Sequence, residues 1–172
     1  MPIPGTPQPE VLDIDDTLRL RRYDGQFAPA LAWYQDPDTL MLVDGKTDPY
    51  NLERLEGMYT YLNAHGELYW IERRATDGNW RKIGDVTFSR EDMPIVLGEP
   101  SLRGQGIGRR VIARLIRRGR ALGYDSLQIE EIYEFNEGSR RCFTSQGFTA
   151  YEATPRGYRY RLDLKGQVRD DV

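Results

Sequence analysis

A chain of 172 residues with 39% hydrophobic and 30% charged side chains fits one globular domain with a substantial core, and neither a second domain nor an internal repeat is expected. The formal net charge of −3 argues against nucleic-acid binding over the whole surface and is compatible with a cationic amine as substrate. The single cysteine excludes an internal disulfide, and without a long apolar span or an apolar N-terminal leader the chain is expected to be cytoplasmic, with no membrane partner and no metal.

Residues 1–9 hold four prolines and almost nothing apolar, which predicts a loose arm. Thr17-Leu18-Arg19-Leu20-Arg21 alternates and predicts a first strand with one face buried. A helix is predicted over 27–34, with Phe27, Leu31 and Tyr34 on one side and Asp36-Pro37 as its stop. Residues 44–49 are turn-rich, and a longer helix is predicted over 51–63 with Leu52, Leu55, Met58, Tyr59 and Leu62 as its stripe. Two strands, 67–74 and 80–89, form a hairpin around Asp77-Gly78-Asn79.

After Arg90-Glu91-Asp92, the apolar run Ile95-Val96-Leu97 predicts a buried strand over 93–98. Ser101-Leu102-Arg103-Gly104-Gln105-Gly106-Ile107-Gly108-Arg109-Arg110 then leads into a helix, whose stripe runs through Ile107, Val111, Ile112, Leu115, Ile116 and Leu122. Glycines at a strand-to-helix turn allow positive φ and close backbone approach, and the first N–H groups of the helix lack internal partners, so the turn predicts a phosphate site. It is not a P-loop, which needs Gly-Lys-Ser/Thr where Gly108-Arg109-Arg110 stands. Nor is it a dinucleotide fingerprint, which needs glycine at Arg109 or Val111. The pattern met by Arg103, Gly106 and Gly108 is Arg/Gln-x-x-Gly-x-Gly/Ala. Residues 123–125 end the helix, and a strand starts at Ser126. Asn136-Glu137-Gly138-Ser139 precedes a short helix, Gly147-Phe148 opens another strand, and a final hairpin turns at residues 155–157. Residues 165–172 read as a short tail.

The glycine loop resembles the pyrophosphate loop of the GCN5-related N-acetyltransferases, the GNAT superfamily. The segment from Asn136 to Phe148 is similar to that family's second cofactor motif, Asn-x-x-Ala/Ser, a short helix, then Gly-Phe. The resemblance covers residues 83–164 well and 18–80 only by layout. It implies an α+β fold, a mixed central sheet splayed around acetyl-CoA and flanked by helices. It implies acetyl-CoA contacts at Val96, Leu97 and Gly98 on the strand, at Arg103, Gly104, Gln105, Gly106, Ile107, Gly108 and Arg109 in the loop, and at Asn136, Ser139 and Phe143 beyond.

The family's chemistry is attack of an amine on the acetyl thioester. The implied needs are an N–H donor to the developing oxyanion from Val96, Leu97 or Gly98, a base, and an acid for the thiolate. Gly98 is expected to mark a bulge that opens the strand. Asp92 is the first candidate base, with a plain solvated turn as the alternative; Asp85 and then Glu99 follow. The family's usual tyrosine acid is replaced here by Phe143, which leaves Tyr133, Tyr151 or unaided departure. Cys142 is read as packing. The arginines at 109, 110, 114, 117, 118 and 120 are read as a solvated helix face, with a nucleic-acid role as the lesser reading.

Trp33, Tyr34 and Asp36 are the candidate acceptor-binding residues, with Tyr50, Tyr59 and Tyr69 as further aromatic walls. Trp33-x-x-Asp36-Pro37 resembles the early segment of ribosomal-protein N-terminal and aminoglycoside N-acetyltransferases. The expected function is acetyl transfer to a primary amine of a small molecule or a protein N-terminus, by a monomer or homodimer. The competing reading is a non-catalytic acyl-CoA sensor on the same fold.

Overall fold

The alternating segment at Thr17–Arg21 forms a strand, but as half of a hairpin. In a computed structural model, which describes residues 1–165, β1 (Val11–Asp15) pairs antiparallel with β2 (Leu18–Arg22). Asp15 closes the turn, its Oδ1 accepting from Thr17 N at 2.9 Å and Thr17 Oγ1 at 3.0 Å. Only Leu12 of β1 is buried, so the strand carries little periodic signal. The residues ahead of it are not loose throughout. Gln8 is buried and its Nε2 donates to Leu68 O at 2.9 Å, and Ile3 packs on the core. The tail expected at 165–172 lies outside the described residues from 166 onward.

The helix predicted over 27–34 is instead two short 3-10 turns, Ala28–Ala30 and Trp33–Gln35. The α-helix starts where a stop was expected: α1 spans Pro37–Asp44. Asp36 is its N-cap, with Oδ2 accepting from Thr39 N at 2.9 Å, and Pro37 takes the first helical position, where its missing N–H costs nothing. Helix α2 (Leu52–His65) is capped by Asn51, whose Oδ1 accepts from Arg54 N at 2.8 Å, and turns Leu55 and Tyr59 inward.

Strands β3 (Glu67–Arg74), β4 (Trp80–Phe88) and β5 (Ile95–Leu97) complete a five-stranded antiparallel sheet in the order β1-β2-β3-β4-β5. Helix α3 (Ile107–Ala121) crosses over to β6 (Ser126–Tyr133). Helix α4 (Glu137–Ser145), β7 (Thr149–Ala153) and β8 (Gly157–Asp163) follow, and the last three strands form a second sheet in the order β6-β8-β7. The fold is α+β.

One core lies under α3, where Val111, Ile112 and Leu115 meet Val86, Phe88 and Leu127. Burying each such side chain contributes about 1.5–3 kcal/mol. A second, aromatic core lies under α1 and α2, built on Trp33, Tyr34, Tyr59 and Trp70. The arginines of α3 are partly structural. Arg118 pairs with buried Glu67 (Nη2 to Oε2, 2.7 Å), Arg110 with Asp15 at 3.0 Å, and Arg114 Nε donates to Asp13 O at 3.0 Å. Among the described residues no helix is long and apolar enough to cross a membrane.

Candidate active site

The site follows from where the two sheets part. Thr87 N donates to Pro94 O at 3.0 Å and Gly98 N to Ile83 O at 2.8 Å, so residues 94, 96 and 98 bond to β4. In an antiparallel ladder the intervening residues point their polar groups to the other edge. Ile95 and Leu97 therefore present N–H and C=O toward β6. The two sheets meet where Gln128 N donates to Arg90 O at 2.9 Å, and the next N–H, that of Glu130, goes to Asp92 Oδ1 at 3.1 Å. Beyond that point lies a cleft of ≈ 640 Å³, walled by β5, the glycine loop, β6, α4 and the inner side of α1. Of the three residues expected to offer an N–H, Leu97 fits. The Gly98 N–H is already bonded, and Val96 belongs to the set facing β4, although both Val96 and Leu97 line the cleft. Gly98 makes no opening: a Cβ there would fall 2.4 Å from the Trp33 ring, so it is glycine because the indole rests on it.

At one end of the cleft stands the loop. Gly104 and Gly106 both have φ of +76°, and a Cβ on either would meet nothing within 4 Å among the described residues. Gly106 is the N-cap of α3, whose first turn has neither a side-chain cap nor an acidic residue. Its first N–H groups thus have no side-chain cap. Arg103, Ile107, Gly108 and Arg109 also line the cleft, and Arg103 Nη2 donates to Thr39 Oγ1 at 2.8 Å, tying the loop to α1. Gln105 does not line it; its Nε2 donates back to Ser101 O at 2.7 Å.

Helix α4 supplies a wall. Asn136 caps it, with Oδ1 accepting from Ser139 N at 3.1 Å, and its amide NH₂ has no partner among the described residues. Asn136, Ser139 and Phe143 line the cleft, as does Arg141, which sequence reasoning passed over. Phe143 is buried and packs edge-on against Phe148, with centroids 5.3 Å apart. Burial pushes the Cys142 thiol up to about 11, so at neutral pH it stays protonated and packs rather than attacks.

The chemically active groups gather near the junction of the sheets. Asp92 is half-buried, and burial pushes its carboxyl up to about 6, aided by the Glu130 charge and opposed by the Glu130 N–H. Between Ile129 and Ile132, β6 carries one more residue than its partner β8, a bulge that breaks the alternation around Glu131. Glu131 and Tyr133 line the cleft and also a second, more open cavity of ≈ 530 Å³. That cavity lies between the segment after α1 and the β7–β8 turn and adds Asp44, Lys46, Arg54, Pro155 and Arg156. Burial raises the Tyr133 hydroxyl above its ordinary value. Tyr151 is exposed on β7, away from both cavities.

The sequence profile of the acetyltransferase (GNAT) domain matches residues 17–149. The chain belongs to the GNAT acetyltransferases. The GNAT acetyltransferase from Bacillus anthracis superposes with a TM-score of 0.71 at 13% identity, over 89% of this chain and 98% of that one. yncA from Salmonella typhimurium, solved with its cofactor acetyl-CoA, superposes with a TM-score of 0.58 at 17% identity, over 90% of this chain and 98% of that one. An acetyl transferase from Salmonella typhimurium that modifies the N-terminal serine of 50S subunit protein L7/L12 gives 0.64 at 18% identity, over 90% and 99%. No curated protein sequence matches the chain significantly.

The family's cofactor is acetyl-CoA, and the cleft of this GNAT domain fits it. The glycine loop leaves space where side chains would otherwise stand, at a helix N-terminus without a side-chain cap. The splayed edges of β5 and β6 offer strand-type hydrogen bonds to an extended arm. Among the described residues no cluster of His, Cys, Asp or Glu is arranged to hold a metal ion.

The residues expected to bind the acceptor take structural places. Trp33 and Tyr34 belong to the aromatic core, and Tyr34 OH donates to Asp85 Oδ2 at 2.7 Å, beside Tyr59 OH at 2.8 Å. Asp36 is the α1 cap. Asp85, the second candidate base, is sealed beneath these tyrosines and does not reach the cleft, and Glu99 is exposed beyond β5.

Proposed function

We propose that this GNAT acetyltransferase is an N-acetyltransferase that moves the acetyl group of acetyl-CoA onto a primary amine entering through the cavity beside Glu131 and Tyr133. One observation carries the reading: a half-buried carboxylate with a raised pKa, Asp92, stands next to the strand segment that connects the cofactor cleft with an open polar cavity. When bound, acetyl-CoA supplies a thioester carbonyl as electrophile. Gly104, Gly106 and the first turn of α3 hold its pyrophosphate, and Asn136 and the free edge of β5 hold its arm.

Leu97 N–H, and Ile95 N–H on the same edge, are the donors available to a carbonyl oxygen in the cleft. Glu131, whose carboxylate has no hydrogen-bond or ion-pair partner among the described residues, accepts from the incoming ammonium and orients it. Asp92, directly or through a water, takes the proton the ammonium must lose; a group poised near 6 is ionised at neutral pH yet basic enough to accept it. Tyr133 OH is the proton source for the departing thiolate in place of the absent tyrosine at 143. The acetyl transferase from Salmonella that modifies an N-terminal serine is a precedent on this fold for an acceptor at a protein N-terminus.

The test is acetyl-CoA turnover with amine acceptors, read alongside calorimetric acetyl-CoA binding. Turnover with an amine that drops sharply in Asp92→Asn supports the reading. Tight acetyl-CoA binding with no acceptor turned over points instead to the sensor.

A further inference from the structure

The second cavity is electrically divided. Asp44 is the partnered acid: Arg54 Nη2 reaches its Oδ2 at 3.5 Å and Tyr50 OH its Oδ1 at 3.3 Å. Arg54 is further held over the Tyr50 ring, 3.9 Å from its centroid. The other charges are not paired off. Arg156 donates from Nη1 to the main-chain oxygen of Asp44 at 3.2 Å and lies 5.7 Å from the Tyr133 centroid, but no carboxylate is within ion-pair distance of it among the described residues. Lys46 and Glu131 likewise have no ion-pair partner there.

The seat of Arg156 is built. Gly45, the C-cap of α1, has φ of +68°, and a Cβ there would lie 2.7 Å from Arg156 Nη1. At this φ glycine is favoured, and a Cβ at 45 would require the tip of the guanidinium to shift. An arginine held against a carbonyl and a ring keeps donors of its planar fork for a further acceptor. Glu131 stands two residues before Tyr133 on β6, roughly 7 Å along the strand, at the side shared with the acetyl-transfer cleft.

We infer that the acceptor is a small zwitterion, whose amine is taken by Glu131 and whose carboxylate, phosphinate or phosphonate is taken by Arg156 and Lys46. This rests on reading the cleft as an acetyl-transfer site. Glu131 lines both the cavity and the cleft, whereas Arg156 and Lys46 line the cavity alone, so the amine is the end presented for acetylation. A polycation would meet the unpaired Arg156 and Lys46 in this cavity, a like-charge encounter that disfavours it. A volume of ≈ 530 Å³ is of a size to take a molecule of amino-acid scale whole.

The test uses the full chain and matched pairs of acceptors: an amino acid against its amide, and an aminoalkyl phosphonate against its diethyl ester. Two quantities are measured, kcat/KM with saturating acetyl-CoA and direct binding of the acid form by calorimetry. The acid forms are expected to show kcat/KM tenfold or more above their neutral partners. Arg156→Gln should erase that preference and the calorimetric signal while leaving the acetyl-CoA Kd unchanged, and Lys46→Ala should reduce both by several-fold in a protein with wild-type Tm. Equal or better use of the neutral forms, or turnover confined to polyamines or peptide N-termini, overturns the inference. Binding of the acid form without turnover of any amine upholds the zwitterion site and sinks the acetyl-transfer reading, so the two fail separately.

Discussion

Asp92 Oδ1 accepts a hydrogen bond from Glu130 N at 3.1 Å, so a carboxylate oxygen stands where the carbonyl of a neighbouring strand would complete the sheet. The same group therefore ends the pairing of the sheets and places a raised-pKa acid in the cleft. Two substitutions separate these duties. Asp92→Asn keeps an acceptor for Glu130 N but no titratable group. It should lower kcat on the order of 10²–10⁴-fold, remove the acidic limb near pH 6 from the rate profile, and leave acetyl-CoA affinity intact. Asp92→Ala also removes the acceptor of the Glu130 N–H, which water can replace at this exposed position, and should cost about 0.5–1.5 kcal/mol of stability as well. Rate profiles from pH 5 to 9 and denaturant unfolding of both variants decide; near wild-type turnover in Asp92→Asn would leave only the structural duty.

Gly106 sits at φ of +76° at the head of α3, with open space where a side chain would go. Gly106→Val forces a β-branched residue into the left-handed region, at roughly 1–2 kcal/mol, in an exposed loop the core does not depend on. The variant should stay folded and lose the rise in Tm that acetyl-CoA produces in the parent by mass action. An undiminished rise, followed by thermal melting at several ligand concentrations, removes this loop from the cofactor site.

The legible half of the site was the part in which local backbone demands dictate residue type. A glycine at positive φ before a helix and an asparagine ahead of a short helix are properties of the chain next to them, so Gly104, Gly106 and Asn136 could be read without the fold. The acceptor side was not legible in this way. Trp33 and Tyr34 suit a pocket wall and a core equally, and only the packing of α1 and α2 on Trp70 decides for the core. Asp36-Pro37 is both a stop signal and a start signal, and the Thr39 N–H shows which applies. Glu131 was hidden because the bulge in β6 adds a residue, although the broken alternation of Leu127, Ile129 and Ile132 was visible as spacing. Arg156 reaches Asp44 across more than a hundred residues of chain, a contact no local pattern reports.

Asp85 is fully buried and burial pushes it up to about 6, against the pull of the Tyr34 and Tyr59 hydroxyls. Its folded value lies above the ordinary unfolded one. Its contribution to stability is therefore complete below about pH 4 and is lost as pH rises through about 6. At pH 7 each tyrosine donates to a buried charge, so Tyr34→Phe or Tyr59→Phe should cost about 1.5–3 kcal/mol there and about 0.5–1.5 kcal/mol at pH 4, where the acid is neutral. Urea unfolding of the two variants at both pH values measures the difference. A pH-independent cost would mean that Asp85 keeps one protonation state across this range.

Asn136 holds two positions at once. Its Oδ1 accepts from Ser139 N at 3.1 Å and so caps α4, while its amide NH₂ is left without a partner in the wall of the cleft. Alanine removes both functions: Asn136→Ala should cost about 0.5–2 kcal/mol of apo stability through the lost cap and weaken acetyl-CoA binding as well. Aspartate separates them. It caps as well as asparagine does, and at a helix N-terminus its charge is favourable. It has no N–H to donate, however, and it sets a negative charge beside a cleft that takes a polyanionic cofactor. Asn136→Asp should therefore keep the apo Tm of the parent and raise the acetyl-CoA Kd by tenfold or more, whereas Asn136→Ala should lower the Tm and raise the Kd by about two- to tenfold, the equivalent of one neutral hydrogen bond. Calorimetry and apo melting on the three proteins give the answer. If Asn136→Asp binds acetyl-CoA as the parent does, the asparagine is a helix cap alone and the cofactor arm is held by the free edge of β5 without it.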